Sequence, residues 1–558
     1  SRGDRVMLLL PNCIEWAAVA YAANALGAVY SALYPQARAK EWLYIIRDAQ
    51  PKFLVVYSLS QYEELLKAAK EARVALPGLK VIVADGSHNH AGAAPGSETE
   101  RGGKGETAQS FVPPRVRVRR AKRSPVLSWE SFYEVGAASQ QAVRLGMGQP
   151  HSLAALIYTS GTTGVPKGVM LSNWNILSNV LASHHVGGVQ AGERTASFLP
   201  WTHAFGATFD LHFMLGRGAH INLVSDTKRL AEEARAIRPH VMLAVPRVWS
   251  SFYDKVVAAM ASSPIKRALF AAAVEEATAR LRAANYDALA VTPTTTKDRV
   301  LDALVWKAVR AKLGGELRLC ISGAAPLAPE VLDFVRMVGI TVLEGYGLTE
   351  TSPLIAANGI FGLKSCARGT VGCVVPGVRV ELDARAWPGA QSAGEGELIV
   401  HGPNVMRGYW RKRAQTRKAL RRDGGLRTGD TGVFTSAGHL RITGRLKEQF
   451  KLANGRYVSP APLEEHLKLS PLVAQCLVDG RGKAAPFAVV VPDRGALRAL
   501  LAKAGVRTSD TSLTAMCAHP EAAAAVLKAL ATSMAGPAWK SFERLQAVIL
   551  DADEWSVA

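Results

Sequence analysis

Residues 1 to 85 alternate short apolar runs ("DRVMLLLPN", "FLVVYS", "LKVIVADG") with segments whose apolar residues recur at helical spacing ("EWAAVAYAANAL", "QYEELLKAAKEAR"). A strand whose residues are apolar without alternation is covered on both faces, and the intervening amphipathic helices are what cover it. This order is the βαβ grammar of a parallel sheet wrapped by helices and makes an α/β fold the first choice. The rhythm resumes at Val126 and runs to about residue 340: "LAEEARAI", "VLDALVWKAVRAKL" and "EVLDFVRMV" read as helices, and "VMLAVP", "LRLCISG" and "ITVLEGYG" as strands closed by glycine or proline. Past Thr349 the texture changes to short strands with many glycines ("TVGCVVPGVRVELD", "GEGELIVHG", "GVFTSAGHLRITG"), predicting a small β-barrel-like subdomain over about 350–444. Beyond Gly444 a short α+β piece follows, with "PFAVVVPD" its clearest strand and "EAAAAVLKALATSM" its clearest helix.

The expected architecture is therefore α/β. A large N-terminal domain, 1–444, holds two parallel-type βαβ sheets plus the β-rich subdomain, and a small α+β C-terminal domain spans 445–558. Residues 86–123 are rich in Gly, Ser, Pro and charge and predict a surface insertion.

Lysine and arginine total 67 against 46 acidic residues, a net +21 that favours anionic partners such as nucleic acid, phosphorylated cofactors or acidic lipid surfaces. The bases cluster in Arg115–Arg123 and Arg411–Arg422, where no aromatic residue interleaves with them. Such runs are ordinarily solvated loops or helix faces, and no nucleic-acid motif accompanies them, so no nucleic-acid partner is expected. The six cysteines form no CxxC and no spacing with histidines that suits zinc or a disulfide framework, which fits a reducing compartment. The most lipid-like stretch, Ala17–Leu33, is short and interrupted by Asn24 and Gly27, and reads as a packed helix. Residue 1 is a serine at the approach to a strand, so no leader is readable, and both ends look like the interior of a longer protein.

"YTSGTTGVPKG" (158–168) places five hydroxyls, three glycines and one lysine between two apolar runs. Small residues let backbone N–H groups approach an oxyanion, hydroxyls add donors, and Lys167 adds a point charge, a combination suited to a polyphosphate. It is not a Walker A loop: Gly161 and Gly164 are three apart and Lys167 is followed by glycine. The stretch resembles the phosphate-binding signature of the adenylate-forming superfamily of acyl-CoA synthetases, adenylation domains and luciferases. "ISGAAPL" (321–327), "EGYGLTET" (344–351), "RTGD" (427–430) and "GRLKEQ" (444–449) follow in the family's order.

The resemblance implies a nucleotide site made of Thr159, Ser160, Gly161, Thr162, Thr163, Gly164 and Lys167; of Gly323, Ala324 and Ala325 beside the base; and of Glu344, Gly345, Tyr346 and Gly347, with Tyr346 stacked on adenine. Thr349 would reach the α-phosphate, Glu350 would hold Mg²⁺ with Thr159 as a further hard donor, and Asp430 and Arg445 would take the ribose. "SFLPWTHAFG", "AVPRVWSSFYDKV", "KLGGELRLCISGAAPL", "TVGCVVPGVRVE", "GPNVMRGYW" and "FKLANGRYVSPAPLE" look most like AMP-forming long-chain fatty acyl-CoA synthetases, and these stretches span nearly the whole chain. That branch implies a fatty acid, ATP and CoA as substrates, and catalysis through Lys167, His203, Thr349 and Glu350. It also implies an acyl tunnel near Trp201 and Phe205, a hinge at Lys447 about which the small domain swings, and an adenylate or CoA contact at Lys451. It further implies an intracellular protein, cytoplasmic or peripheral on an organelle membrane.

Three departures are visible. The family's C-terminal catalytic lysine has no counterpart, since "SFERLQAVILDADEWSVA" matches only the region before it and Lys540 lies upstream. Asn173 stands in "MLSNWN" near where relatives often carry histidine, and the 86–123 insertion is extra. The missing lysine keeps open a fatty acyl-AMP ligase that uses a carrier protein, and a non-catalytic fatty-acid-binding relative.

Overall fold

The computed structural model describes residues 2–76, 78–84, 126–138, 149–160, 165–184, 188–284, 292–360, 366–386, 394–506, 512–535 and 539–555. The 86–123 insertion, the basic run Arg115–Arg123 and the loop residues Gly161, Thr162, Thr163 and Gly164 lie outside this set, as does the side chain of Ser160. Two compact units form. One comprises Ser1–Ile176, Pro200–Ala207 and Met406–Arg413; the other comprises Leu177–Leu199, Thr208–Val405 and Ala414–Ala558.

The first unit is built on a seven-stranded sheet of order β5-β4-β3-β1-β2-β6-β7. Its strands are β1 (Arg5–Leu9), β2 (Val29–Ala32), β3 (Phe53–Val56), β4 (Lys80–Val83), β5 (Val126–Ser128), β6 (Leu153–Ser160) and β7 (Pro166–Ser172). All neighbours are parallel except β6 and β7, which form an antiparallel hairpin. Met7, Leu9, Leu54, Val56 and Leu156 are wholly buried in its core, as strands covered on both faces require. Ala17–Leu33 is not one helix: helix Ile14–Ala25 ends there and β2 begins at Val29, because Gly27 adopts a left-handed φ of 68° that a continuing helix cannot hold. No described helix is long and apolar enough to cross a membrane.

In the second unit, β8 (Arg194–Ser197), β9 (His220–Leu223), β10 (Val241–Ala244), β11 (Leu319–Ser322), β12 (Thr341–Gly347), β13 (Leu354–Ala357) and β14 (Cys373–Val374) make a second seven-stranded sheet of order β14-β13-β12-β11-β10-β8-β9. Strands β8 to β12 pair in parallel, and β13 and β14 extend the edge antiparallel. Trp249, Trp306 and Phe334 anchor the helical layer against it. A four-stranded antiparallel sheet follows: β15 (Arg379–Asp383), β16 (Gly396–His401), β17 (Leu426–Phe434) and β18 (Leu440–Arg445). Val371 N–H donates to the Leu440 carbonyl, and Leu440 N–H to that of Gly372, so backbone bonds also hold the outer edge of β18.

The last part carries a two-stranded ribbon, β19 (Phe450–Lys451) with β20 (Tyr457–Val458). It also holds a three-stranded sheet of β21 (Val473–Asp479), β22 (Phe487–Pro492) and β23 (Ala547–Leu550), with its own core around Val490, Leu497 and Val526. All six cysteines are free. Helix Arg413–Ala419, inside the second basic run, buries no residue, and nearby Arg421 pairs with Asp423 at 2.9 Å, the pattern of a solvated face.

Candidate active site

In the first unit the β6–β7 hairpin sets Thr159 opposite Lys167 at its tip. The segment 406–410 adds itself alongside β7: Met170 N–H donates to Gly408, Arg407 N–H to Met170 and Trp410 N–H to Gly168. This brings Tyr409 beneath Lys167, whose Nζ lies 5.2 Å from the ring centroid, a cation–π distance that holds the ammonium near the hairpin tip. A Cβ on Gly168 would sit 3.0 Å from Tyr158 Cζ and 3.3 Å from Trp410 Cβ, so any larger residue would have to push one of these side chains aside. Tyr158 is locked in turn. Its hydroxyl donates to Asp48 at 2.7 Å, and burial together with that carboxylate pushes its pKa well up.

His203 follows a turn in which its N–H donates to the Pro200 carbonyl, and its ring lies 5.6 Å from that of Tyr34. Desolvation by the surrounding residues lowers its pKa, although the side chain keeps exposed surface. Trp201 is 3% exposed, packs edge-on against Trp16 at 5.6 Å, and is a core residue in this arrangement, whereas Phe205 is only half-buried.

In the second unit, β11 ends at Ser322 opposite Glu344 of β12, so "GAAPL" and "EGYG" leave adjacent parallel strands at the same level. Ala324 holds φ 72°, a left-handed conformation that costs an L-residue about 1–2 kcal/mol, and it is exposed with Ala325 at this strand-end loop. Loops outside the carboxyl ends of parallel strands are where such sheets bind ligands.

Tyr346, Asp430 and Arg445 come together. Asp430 and Arg445 face each other across β17 and β18. The Tyr346 hydroxyl donates to Asp430 Oδ2 at 2.7 Å, and Arg445 Nε donates to Oδ1 at 2.8 Å. Asp430 is 3% exposed, and burial raises its pKa despite the arginine. Thr349 and Glu350 sit on the 3₁₀ turn Thr349–Thr351, both partly exposed. A Cβ on Gly347 would run into the Pro353 carbonyl, so this glycine is what allows the turn to fold back on itself.

Beyond Arg445, Lys447 occupies the connection into the last part of the chain, and Lys451 lies 5.7 Å over the Tyr457 ring. Sequence reasoning missed Tyr409, Asp48 and Tyr158 as supports of Lys167. Only the strand register could reveal them.

An aromatic ring, a buried carboxylate and a guanidinium thus stand in hydrogen-bond contact. A family profile described as AMP-binding enzyme matches residues 1–410, and one described as AMP-binding enzyme C-terminal domain matches 447–544. "Long-chain-fatty-acid–CoA ligase 1" of Cavia porcellus is 30% identical over 554 residues, covering 98% of this chain and 73% of that protein. "Long-chain-fatty-acid–CoA ligase FadD15" of Mycobacterium bovis is 31% identical, covering 87% of this chain and 72% of its own. Among solved structures, ATP-bound MatB from Rhodopseudomonas palustris superposes with TM-score 0.64 at 24% identity, over 99% of this chain and 86% of that one, a likeness of fold. The chain belongs to the AMP-binding enzyme family.

Proposed function

We infer that the chain activates a fatty acid with ATP, giving acyl-AMP and pyrophosphate, and then passes the acyl group to CoA with release of AMP. In the first step a carboxylate oxygen bonds to the α-phosphorus while the bond to the β-phosphate oxygen breaks. In the second the thiol sulfur of CoA bonds to the acyl carbon, the thiol proton leaves to solvent, and the acyl–phosphate bond breaks. The observation that carries this reading is the buried Asp430 carboxylate held by Tyr346 and Arg445, in a chain that matches the family over residues 1–410.

No side chain acts as a covalent nucleophile; such chemistry rests on positioning and on neutralising spread negative charge. Lys167 and the hydroxyls of the 159–164 loop would hold the phosphates, with Ala324 and Ala325 bordering the adenine, Tyr346 stacked on it and Asp430 accepting the ribose hydroxyls. His203 would donate a hydrogen bond to the substrate carboxylate and so orient it. Trp201 and Phe205 would border the acyl chain, the first from the core. Lys447 would serve as the hinge for the last domain, and Lys451 as its contact to adenylate or CoA.

Among the described residues no group of three or more His, Cys, Asp or Glu side chains is arranged to hold a metal. Mg²⁺ keeps waters and substrate phosphates and takes only one or two protein oxygens, and the Glu350 carboxylate or the Thr159 hydroxyl would be a donor of that kind. When bound, the ion offsets phosphate charge.

The test is pyrophosphate release with ATP, Mg²⁺ and a series of medium- to long-chain acids, followed by thioester formation with CoA. Acid-dependent release followed by thioester supports the reading. Release without thioester moves the acceptor from CoA to a carrier, and acid binding with neither product refutes it.

A further inference from the structure

The turn that carries Thr349 and Glu350 is held by a buried amide from a distant helix. Asn179, 1% exposed on helix Asn173–Ser183, accepts from Leu354 N–H at 2.9 Å through Oδ1. Its Nδ2 donates to the Leu354 carbonyl at 3.0 Å and, more weakly, to that of Thr351 at 3.5 Å. Asn404, also 1% exposed, donates to the same Leu354 carbonyl at 2.8 Å, and its own carbonyl accepts from Ser352 Oγ at 2.9 Å. Inside the turn, Leu348 N–H donates to both the Pro353 carbonyl (2.9 Å) and Thr351 Oγ1 (3.0 Å). Thr351 and Ser352 are wholly buried, whereas Thr349 and Glu350 keep exposed surface. The turn is thus fixed from behind and open in front.

We propose that Asn179 is a positioning residue for the metal and α-phosphate groups: its amide, with Asn404 in support, sets the orientation in which Thr349 and Glu350 meet the magnesium-bound triphosphate. This rests on the roles given to Thr349 and Glu350 above. The physical argument is that one planar side chain meets the donor and acceptor of a single residue while grasping the turn three residues earlier. Its loss leaves the Leu354 N–H without its amide partner in a dry interior and removes the contact to the Thr351 carbonyl, loosening the turn. A group placed wrongly by about an ångström is enough to lose most of its effect on a transferring phosphoryl.

The experiment compares wild type with Asn179→Ala and Asn404→Ala by calorimetry, titrating adenosine, which has neither phosphate nor metal, and the magnesium complex of α,β-methylene-ATP, and then by pyrophosphate release. The expectation for Asn179→Ala is adenosine affinity within about threefold of wild type, with at least about tenfold weaker binding of the magnesium complex and a similar loss of rate at saturating ATP. Asn404→Ala should shift in the same direction by less. An unchanged ratio of the two affinities in a folded Asn179→Ala overturns the inference, as does an equal loss for both ligands. If Asn179→Ala does not fold, an unchanged ratio in Asn404→Ala overturns it. Wild type that releases no pyrophosphate would instead indict the function itself.

Discussion

Asp430→Ala removes the acceptor shared by Tyr346 and Arg445, and the structure sets the size of the effect. The Tyr346 hydroxyl bonds a charged acceptor at 2.7 Å, a class of hydrogen bond worth about 1.5–3 kcal/mol. Arg445 is 49% exposed, so water replaces the carboxylate and its ion pair contributes no more than about 1 kcal/mol. Burial, which raises the Asp430 pKa, offsets part of both, and the loss in stability should lie near about 2 kcal/mol. A double-mutant cycle with Tyr346→Phe isolates the hydroxyl: Asp430→Ala should cost about 1–2 kcal/mol less in that background. The assay is denaturant unfolding of the nucleotide-free protein, read as a midpoint shift at constant slope, together with AMP affinity by calorimetry. AMP should bind about a hundredfold more weakly to Asp430→Ala, because a charged acceptor of two ribose hydroxyls is gone. Tyr346→Phe keeps the ring and should lose only severalfold. A coupling energy within error of zero would refute the three-residue unit, and undiminished AMP affinity in Asp430→Ala would refute the ribose assignment.

Two further outcomes concern the hairpin. Gly168→Ala drives a methyl to 3.0 Å from Tyr158 and 3.3 Å from Trp410, and should destabilise the first unit by about 1–3 kcal/mol, seen as a lower unfolding midpoint. Lys167→Ala should leave folding nearly unchanged, since the cation–π contact with Tyr409 is worth about 1 kcal/mol at most, while lowering the rate of pyrophosphate release at least about tenfold. An unaltered rate would remove Lys167 from the phosphate site.

The alternation of strand and helix was legible because burial on both faces writes itself locally, and the parallel cores of both large sheets follow from it. Order within each sheet was not. Nothing in "VLEGYG" or "GVFTSAG" says that β13 and β14 turn back onto the large sheet while β15 to β18 form another, because that choice rests on contacts far apart in the chain. The same limit divides the site. Resemblance located Tyr346, Asp430 and Arg445, but the hydroxyl–carboxylate bond spans 84 residues and the Tyr158–Asp48 lock 110. Asn179 meets Leu354 across 175, and a lone asparagine in a helix carries no local sign of it. Trp201 is similar: nearness to His203 suggested a tunnel wall, and its edge-on packing against the distant Trp16 has no sign in that stretch.

Glu344 and Glu350 make the point within a single motif, since they stand six residues apart and do opposite things. The resemblance sets Glu344 among the nucleotide contacts. Burial raises its pKa to about 7, against Arg336, Arg368 and the Leu327 backbone, which favour the charged form. Leu327 ends the loop that carries Ala324 and Ala325, so Glu344 beside its backbone would steady that loop from within. The sign of its pH dependence follows. A carboxyl whose folded pKa lies above the ordinary 4.5 binds its proton more tightly when folded, so its contribution to stability is complete below about 4.5 and is lost as pH rises through 7. The rise from 4.5 to about 7 corresponds to a ceiling of about 3 kcal/mol, lowered because the residue keeps some exposed surface. Glu344→Gln keeps an acceptor for Leu327 and cannot titrate, so the stability difference between the variant and wild type should change by up to that amount between pH 5 and about 8, while AMP affinity at pH 7 stays within severalfold. A difference that stays flat with pH would show that the carboxyl is open to water, and a large loss of AMP binding would return Glu344 to the nucleotide.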